Sequence, residues 1–172
     1  MHDKRLVIVI GHYGSGKTEF AVNYAVKMKE IYENVSIADL DIVNPYFRSR
    51  EKREFFEEIG IKLFDSSIRN TAVDLPALPA ELMGVITNPN IKSIIDVGGD
   101  PVGARVLARF AEQIKNVEYD MFYVINGNRP DTSTVDGVIN YLKMIEATSR
   151  LKITGLVNNT HMLKATTVED VE

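Results

Sequence analysis

The run Leu6-Val7-Ile8-Val9-Ile10 passes directly into Gly11-His12-Tyr13-Gly14-Ser15-Gly16-Lys17-Thr18. A near-continuous β-branched run suits a strand buried on both faces of a parallel sheet. Lys17–Glu30 then reads as a helix, with Phe20, Ala21, Tyr24, Ala25 and Met28 at helical spacing. The turn between them matches the Walker A pattern G-x-x-x-x-G-K-[ST] at every fixed position. Its glycines let successive backbone N–H groups wrap a polyphosphate, because no Cβ blocks the approach. The following helix adds the partial positive charge of its N-terminus. The nucleotide-binding residues expected from this pattern are Gly11, His12, Tyr13, Gly14, Ser15, Gly16, Lys17 and Thr18. Lys17 is expected to act catalytically on the β- and γ-phosphates, and the Thr18 hydroxyl to ligate Mg²⁺. A plain glycine turn joining strand to helix is the alternative. A dinucleotide site of the NAD type is a second alternative. It matches G-x-G-x-x-G less well, since Glu19 occupies the last position counted from Gly14.

The rest of the chain alternates in the same way. Strands are expected at Val35–Leu40, Ile61–Phe64, Ile91–Asp96, Met121–Ile125 and Ile153–Val157. Helices are expected over Phe47–Ile59, stopped by Gly60, and briefly over Ala80–Thr87. Asp65–Pro79 reads as a loop broken by Pro76 and Pro79. Asp100-Pro101 is a good helix entry, and Leu107, Phe110, Ala111 and Ile114 follow at helical spacing. Val135, Val138, Ile139, Leu142 and Ile145 stripe one face of the next helix. This alternation predicts a single three-layer α/β/α domain over residues 1–172, with a mainly parallel sheet of about six strands. Thr166-Thr167-Val168-Glu169 has capping-box spacing and should open a further helix, so the domain is expected to be truncated at its C-terminus.

Composition narrows the function classes. Hydrophobic residues make up 45% of the chain, enough to build a core, so disorder is excluded for the whole. The net charge of −4 argues against a nucleic-acid or anionic-membrane binder. No apolar run is long enough to span a bilayer or form a signal segment, so a cytoplasmic protein is expected. The absence of cysteine removes disulfides, thiolate metal sites and cysteine nucleophiles. His2 and His161 have no companions that suggest a metal site.

A nucleotide hydrolase needs carboxylates at neighbouring strand ends to hold Mg²⁺ and orient water. Asp96 closes an apolar strand and is followed by Val97-Gly98-Gly99-Asp100, the Walker B arrangement. Asp39-Leu40-Asp41 closes the second strand, and its two carboxylates point the same way on an extended chain. The expected metal residues are therefore Thr18, Asp39 and Asp96. Asp41 is the expected catalytic, water-orienting residue, and Asp100 a helix N-cap. Arg48, Arg50, Lys52 and Arg53 form either a switch region or a solvated helix face beside Glu51, Glu54, Glu57 and Glu58. Asp74–Pro79 suits loop packing or a partner-binding lip. Arg129, after Asn126-Gly127-Asn128, lies in a strand-end loop suited to lining a base pocket or to an ordinary turn.

Taken in order, the phosphate loop, Asp39-Leu40-Asp41-Ile42-Val43-Asn44, Asp96-Val97-Gly98-Gly99 and Gly155-Leu156-Val157-Asn158-Asn159 resemble the MinD/ParA/nitrogenase-iron-protein group of P-loop ATPases. The resemblance implies an ATP-dependent switch, often dimeric with nucleotide between subunits. It also implies that Asp41 helps activate water and that Asn158 or Asn159 contacts adenine. A polar turn is the other reading of that asparagine pair. The group's second lysine, which reaches across the dimer, is replaced here by His12, either a partial substitute when protonated or a solvent-exposed side chain. Asn158-Asn159-Thr160-His161 is not an N-K-x-D guanine signature, so ATP is expected over GTP. The expected function is Mg²⁺-dependent ATP binding with slow hydrolysis, acting as a nucleotide switch, with a homodimer or a protein client as the expected partner. A small-molecule kinase or ligase and a non-hydrolysing nucleotide sensor are the alternatives.

Overall fold

Strand β1 (Leu6–Gly11) is buried at every position, which its β-branched sequence requires. A computed structural model describes residues 4–40, 50–65, 77–99, 101–161, 166–169 and 171. The chain continues through α1 (Lys17–Lys29), β2 (Val35–Asp39), α2 (Arg50–Glu58), β3 (Ile61–Asp65) and α3 (Ala77–Thr87). Then come β4 (Lys92–Gly98), α4 (Pro101–Ala108), α5 (Ala111–Lys115), β5 (Tyr119–Ile125), a 3₁₀ turn (Pro130–Thr132), α6 (Val135–Ser149) and β6 (Gly155–Asn158). The six strands form one sheet in the order β3-β2-β4-β1-β5-β6, and every pairing is parallel. The expected α/β/α architecture is therefore present.

Side-chain alternation along the central strands builds two cores. Leu6, Ile8 and Ile10 pack with Leu82 and Ile86 of α3, Leu107 of α4, Ile114 of α5 and Ile145 of α6. Val7 and Val9 pack with Ala21 and Ala25 of α1 and Phe56 of α2. The connection from β1 thus crosses one face with α1, and the connection from β4 to β5 crosses the other. The crevice between β1 and β4 is the point where loops leave in opposite directions, which is where open α/β sheets gather ligands.

The backbones of β1 and β4 close on each other at this point. Gly11 is registered against Gly98. A Cβ at Gly99 would lie 2.0 Å from the Gly11 carbonyl oxygen, and one at Gly11 would lie 2.5 Å from the Val124 carbonyl oxygen. Both glycines are there because two main chains need the space.

Three expectations change. The apolar stripe Leu107–Ile114 does not form one helix. It breaks at Phe110, whose backbone leaves the helical region at φ −111° and ψ 8°. The break lets Phe110, Ala111 and Ile114 all turn into the core. The helix expected from Ala80 begins at Ala77. Pro79 therefore lies in its first turn, where a missing N–H costs no intrahelical bond. Residues 166–169 form a bend and turn instead of a helix. The Glu169 carboxylate is held by its own backbone N–H and by the Thr167 hydroxyl, which lowers its pKa. Asp41, Arg48, Asp100, Asp74 and Pro76 lie outside the described residues. Among the described residues, no helix is long and apolar enough to cross a membrane.

Tyr123 is fully buried on the α6 side, stacked on Tyr141 at 6.0 Å. Its hydroxyl has no hydrogen-bond partner among the described residues. Burial, then Tyr141 and Asp131, push its phenol well above the usual tyrosine range. An unfolded tyrosine ionises near pH 10, so this group's contribution is complete below that pH and is lost as pH rises above it. Tyr123→Phe should raise stability by about 1 kcal/mol in urea unfolding at pH 7, because an unsatisfied buried hydroxyl is removed. The variant should also lose less stability than wild type above pH 10. Gly99→Ala should cost about 2 kcal/mol in the same measurement, since its Cβ meets backbone that cannot swing away.

Candidate nucleotide-binding site

The expected phosphate loop, Gly11–Thr18, is held in shape by glycine conformations and by groups outside it. Gly14 and Gly16 adopt φ of 74° and 80°, the left-handed region that a side chain disfavours. Ser15 N–H donates to the His12 carbonyl at 3.0 Å, closing the turn. The Gly14 carbonyl accepts from Asn126 Nδ2 at 3.3 Å and from Arg129 Nε at 3.0 Å. The Ser15 carbonyl accepts from Asn159 Nδ2 at 2.8 Å. In the trans peptide that follows Ser15, an outward carbonyl sends the Gly16 N–H to the other side. Gly16 caps α1 without a side-chain hydrogen bond, so no cap side chain covers the first N–H groups of the helix. Ser15 Oγ is buried beside them with no hydrogen-bond partner among the described residues. A buried donor without a partner, at the open end of a helix, suits an anion.

Lys17 opens α1 and is only 7% exposed, and Thr18 next to it is half-buried. Asp39 ends β2 and Asp96 lies in β4, and the two are registered directly against each other. Asp96 is also registered against Val9, which belongs to the α1 side of the sheet. The two carboxylates therefore share the face that carries α1. Both are 0% exposed. Charged groups buried this deeply need compensating charge or coordination. Thr18, Asp39 and Asp96 offer only hard oxygen donors, the chemistry that Mg²⁺ prefers. Among the described residues no cluster of three metal-binding His, Asp or Glu side chains occurs. Such a set fits a cation that keeps several waters and takes phosphate oxygens, as Mg²⁺ does.

The remaining expected residues divide. Tyr13 stands at the loop tip, 67% exposed. His12 is not left to solvent. Its Nε2 lies 3.0 Å from Asp131 Oδ2 and its Nδ1 lies 2.9 Å from the Tyr13 carbonyl. Both partners are hydrogen-bond acceptors. Its edge meets Tyr141 at 5.2 Å, and the Tyr141 hydroxyl donates to the Gly99 carbonyl. Asn159 reaches the phosphate loop, whereas Asn158 bonds the Val171 carbonyl and accepts from Thr160. Arg129 lies across the loop at Gly14.

Sequence reasoning missed Asn126 as a support of the loop. It is 1% exposed, and its own carbonyl accepts from Thr132 Oγ1 at 2.7 Å. Its position at the end of an apolar strand, followed by Gly127-Asn128-Arg129-Pro130, was the available signal. Tyr141 and Asp131 gave no such signal, because only the fold brings them to His12.

No protein-family model matches the sequence, and no curated protein sequence matches it. Solved structures do match in shape. The kinase domain of the Escherichia coli tyrosine kinase ETK aligns with a TM-score of 0.61 at 16% identity, over 97% of this chain and 72% of that one. The signal recognition particle receptor FtsY from Elizabethkingia anophelis aligns with a TM-score of 0.57 at 18% identity, over 92% of this chain. The chain spans about half, 51%, of that FtsY chain. FlhF complexed with GTP and Mg²⁺ aligns with a TM-score of 0.53 at 10% identity, over 91% of this chain and 65% of that one. At these identities the likeness is one of fold, an α/β domain with a parallel six-stranded sheet flanked by helices.

Proposed function

We propose that this chain is a Mg²⁺-dependent ATP-binding protein of the MinD/ParA type, with slow ATP hydrolysis driving a conformational switch. The observation that carries the reading is the in-register pair Asp39 and Asp96, buried on the sheet face that also carries Lys17 and Thr18. Lys17 and the loop amides stabilise charge on the β- and γ-phosphates. Thr18 and Asp96 hold Mg²⁺, with Asp39 beside them, and Asp41 orients the attacking water. When bound, Mg²⁺ neutralises charge on the phosphate oxygens. The amide of Asn159, anchored on the Ser15 carbonyl, suits an adenine contact better than Asn158, which is engaged in its own turn. ATP is preferred to GTP because the loops after β5 and β6 lack the N-K-x-D pattern.

The γ-phosphate is the natural trigger of such a switch, since Gly98 and Gly99 end the strand beside the phosphate loop. His12 is engaged with Asp131 of its own chain, so the proposed switch does not use this side chain to complete a partner's site. A homodimer or a protein client would receive the change, in a cytoplasmic setting.

The direct test is thermal unfolding with Mg²⁺ and ATP, ADP, GTP or NAD. A ligand at a hundred times its dissociation constant stabilises by about 2.7 kcal/mol, a readily measured shift. ATP should give the largest shift, and Lys17→Ala should abolish it. An equal shift in Lys17→Ala, or none with any nucleotide, would sink the reading.

A further inference from the structure

We propose that Arg129 is the base platform of the nucleotide site: its guanidinium, laid on the phosphate loop, stacks on the purine of the bound nucleotide. The proposal rests on the nucleotide-binding reading above and names a residue that determines specificity within it.

Strand order gives the site a direction. Asp39 and Asp96 belong to β2 and β4, on one side of β1. Asn126 and Arg129 follow β5, and Asn159 follows β6, on the other side of β1. The phosphate loop leaves β1 between them. A metal-bound triphosphate directs its metal-bearing end to the carboxylates, so its nucleoside runs toward the ends of β5 and β6.

Arg129 waits on that side in a suitable posture. Its Nε is committed to the Gly14 carbonyl at 3.0 Å. A Cβ on Gly14 would lie at nearly the same distance, 2.7–2.8 Å, from Cζ, Nε and Nη2. A point that close to all three atoms sits over the face of the guanidinium plane instead of at its edge. One face of the plane therefore rests on the glycine, and the residue as a whole is exposed. Among the described residues, no ion pair or ring contact of Arg129 covers the opposite face. A planar cation backed by main chain on one face, in an exposed residue, is a stacking surface for an aromatic ring. The backing also holds the side chain in place, which reduces the entropy that binding must remove.

The loop beneath it is built to stay put. Arg129 N–H donates to the Asn126 carbonyl at 3.1 Å, Thr132 N–H donates to the Arg129 carbonyl at 3.0 Å, and Asn128 N–H donates to Asn126 Oδ1 at 3.0 Å. Gly14 has a double role here. It supplies the positive φ of the loop, and its missing side chain lets the guanidinium lie flat.

The test uses calorimetric titration of the full chain with Mg²⁺ and three probes: ATP, ADP and inorganic tripolyphosphate. Arg129→Ala should lose about tenfold more affinity for ATP and ADP, the scale of one lost base stack, than it loses for tripolyphosphate. Arg129→Lys keeps a charge and a donor for Gly14 but has no plane, so it should stay as weak as Arg129→Ala. Equal losses for ATP and tripolyphosphate would overturn the proposal, since Arg129 would then serve the phosphates or the loop's shape. Full recovery in Arg129→Lys, or no loss in Arg129→Ala, would overturn it as well. In these three cases a Lys17-dependent affinity of wild type for ATP leaves the nucleotide-binding reading standing. Wild type that binds neither ATP nor tripolyphosphate would remove that reading and this inference together.

Discussion

The close approach of two main chains, at the carboxyl ends of β1 and β4, is the contact on which the site depends. Gly11 and Gly98 are paired, and Gly99 leaves no room for a Cβ against the Gly11 carbonyl. Because β4 enters the sheet between β2 and β1, this contact also brings Asp96 into register with Asp39. Any larger residue at the junction would separate the phosphate loop from the carboxylate strand. The site's positive and negative halves would then no longer face one crevice.

Around that junction the molecule uses the neighbouring strand ends as supports. Asn126 and Arg129 from one loop and Asn159 from the next fasten the carbonyls of Gly14 and Ser15. His12, Asp131, Tyr141 and the Gly99 carbonyl form a second chain of contacts on the α6 side. The phosphate loop is thereby tied to every strand end on its right-hand side, and to Gly99 on its left. A shift at Gly99 reaches Tyr141 through a hydrogen bond and His12 through a ring contact. That continuity offers the proposed switch a physical path across the site.

Most of the fold was legible because its strands are short, β-branched and bounded by glycine or charged turns. A helix spaced by Phe20, Ala21, Tyr24, Ala25 and Met28 could be read in the same way. Phe110 defeated the periodicity argument, because a stripe that suits one helix also suits two short ones bent into the same core. Residues 166–169 form a bend and turn although their spacing suits a cap, with the Glu169 carboxylate bonded to its own N–H and to Thr167. His12 was open to a solvent-exposed reading, since the residue that engages it stands more than a hundred positions away.

The sequence by itself determined the turn at Gly11–Thr18. Its glycines lie within a few residues of one another, and the left-handed conformations of Gly14 and Gly16 are set there. The parallel strand–helix alternation was determined locally too, by the periodicity of apolar residues. Only the tertiary structure decided which distant residues complete the site. Asp39 meets Asp96, Arg129 meets Gly14, Asn159 meets Ser15 and Asp131 meets His12 because of strand order and register. Those are set by packing six strands between two helical layers, a global balance of buried area that no local stretch of the chain encodes.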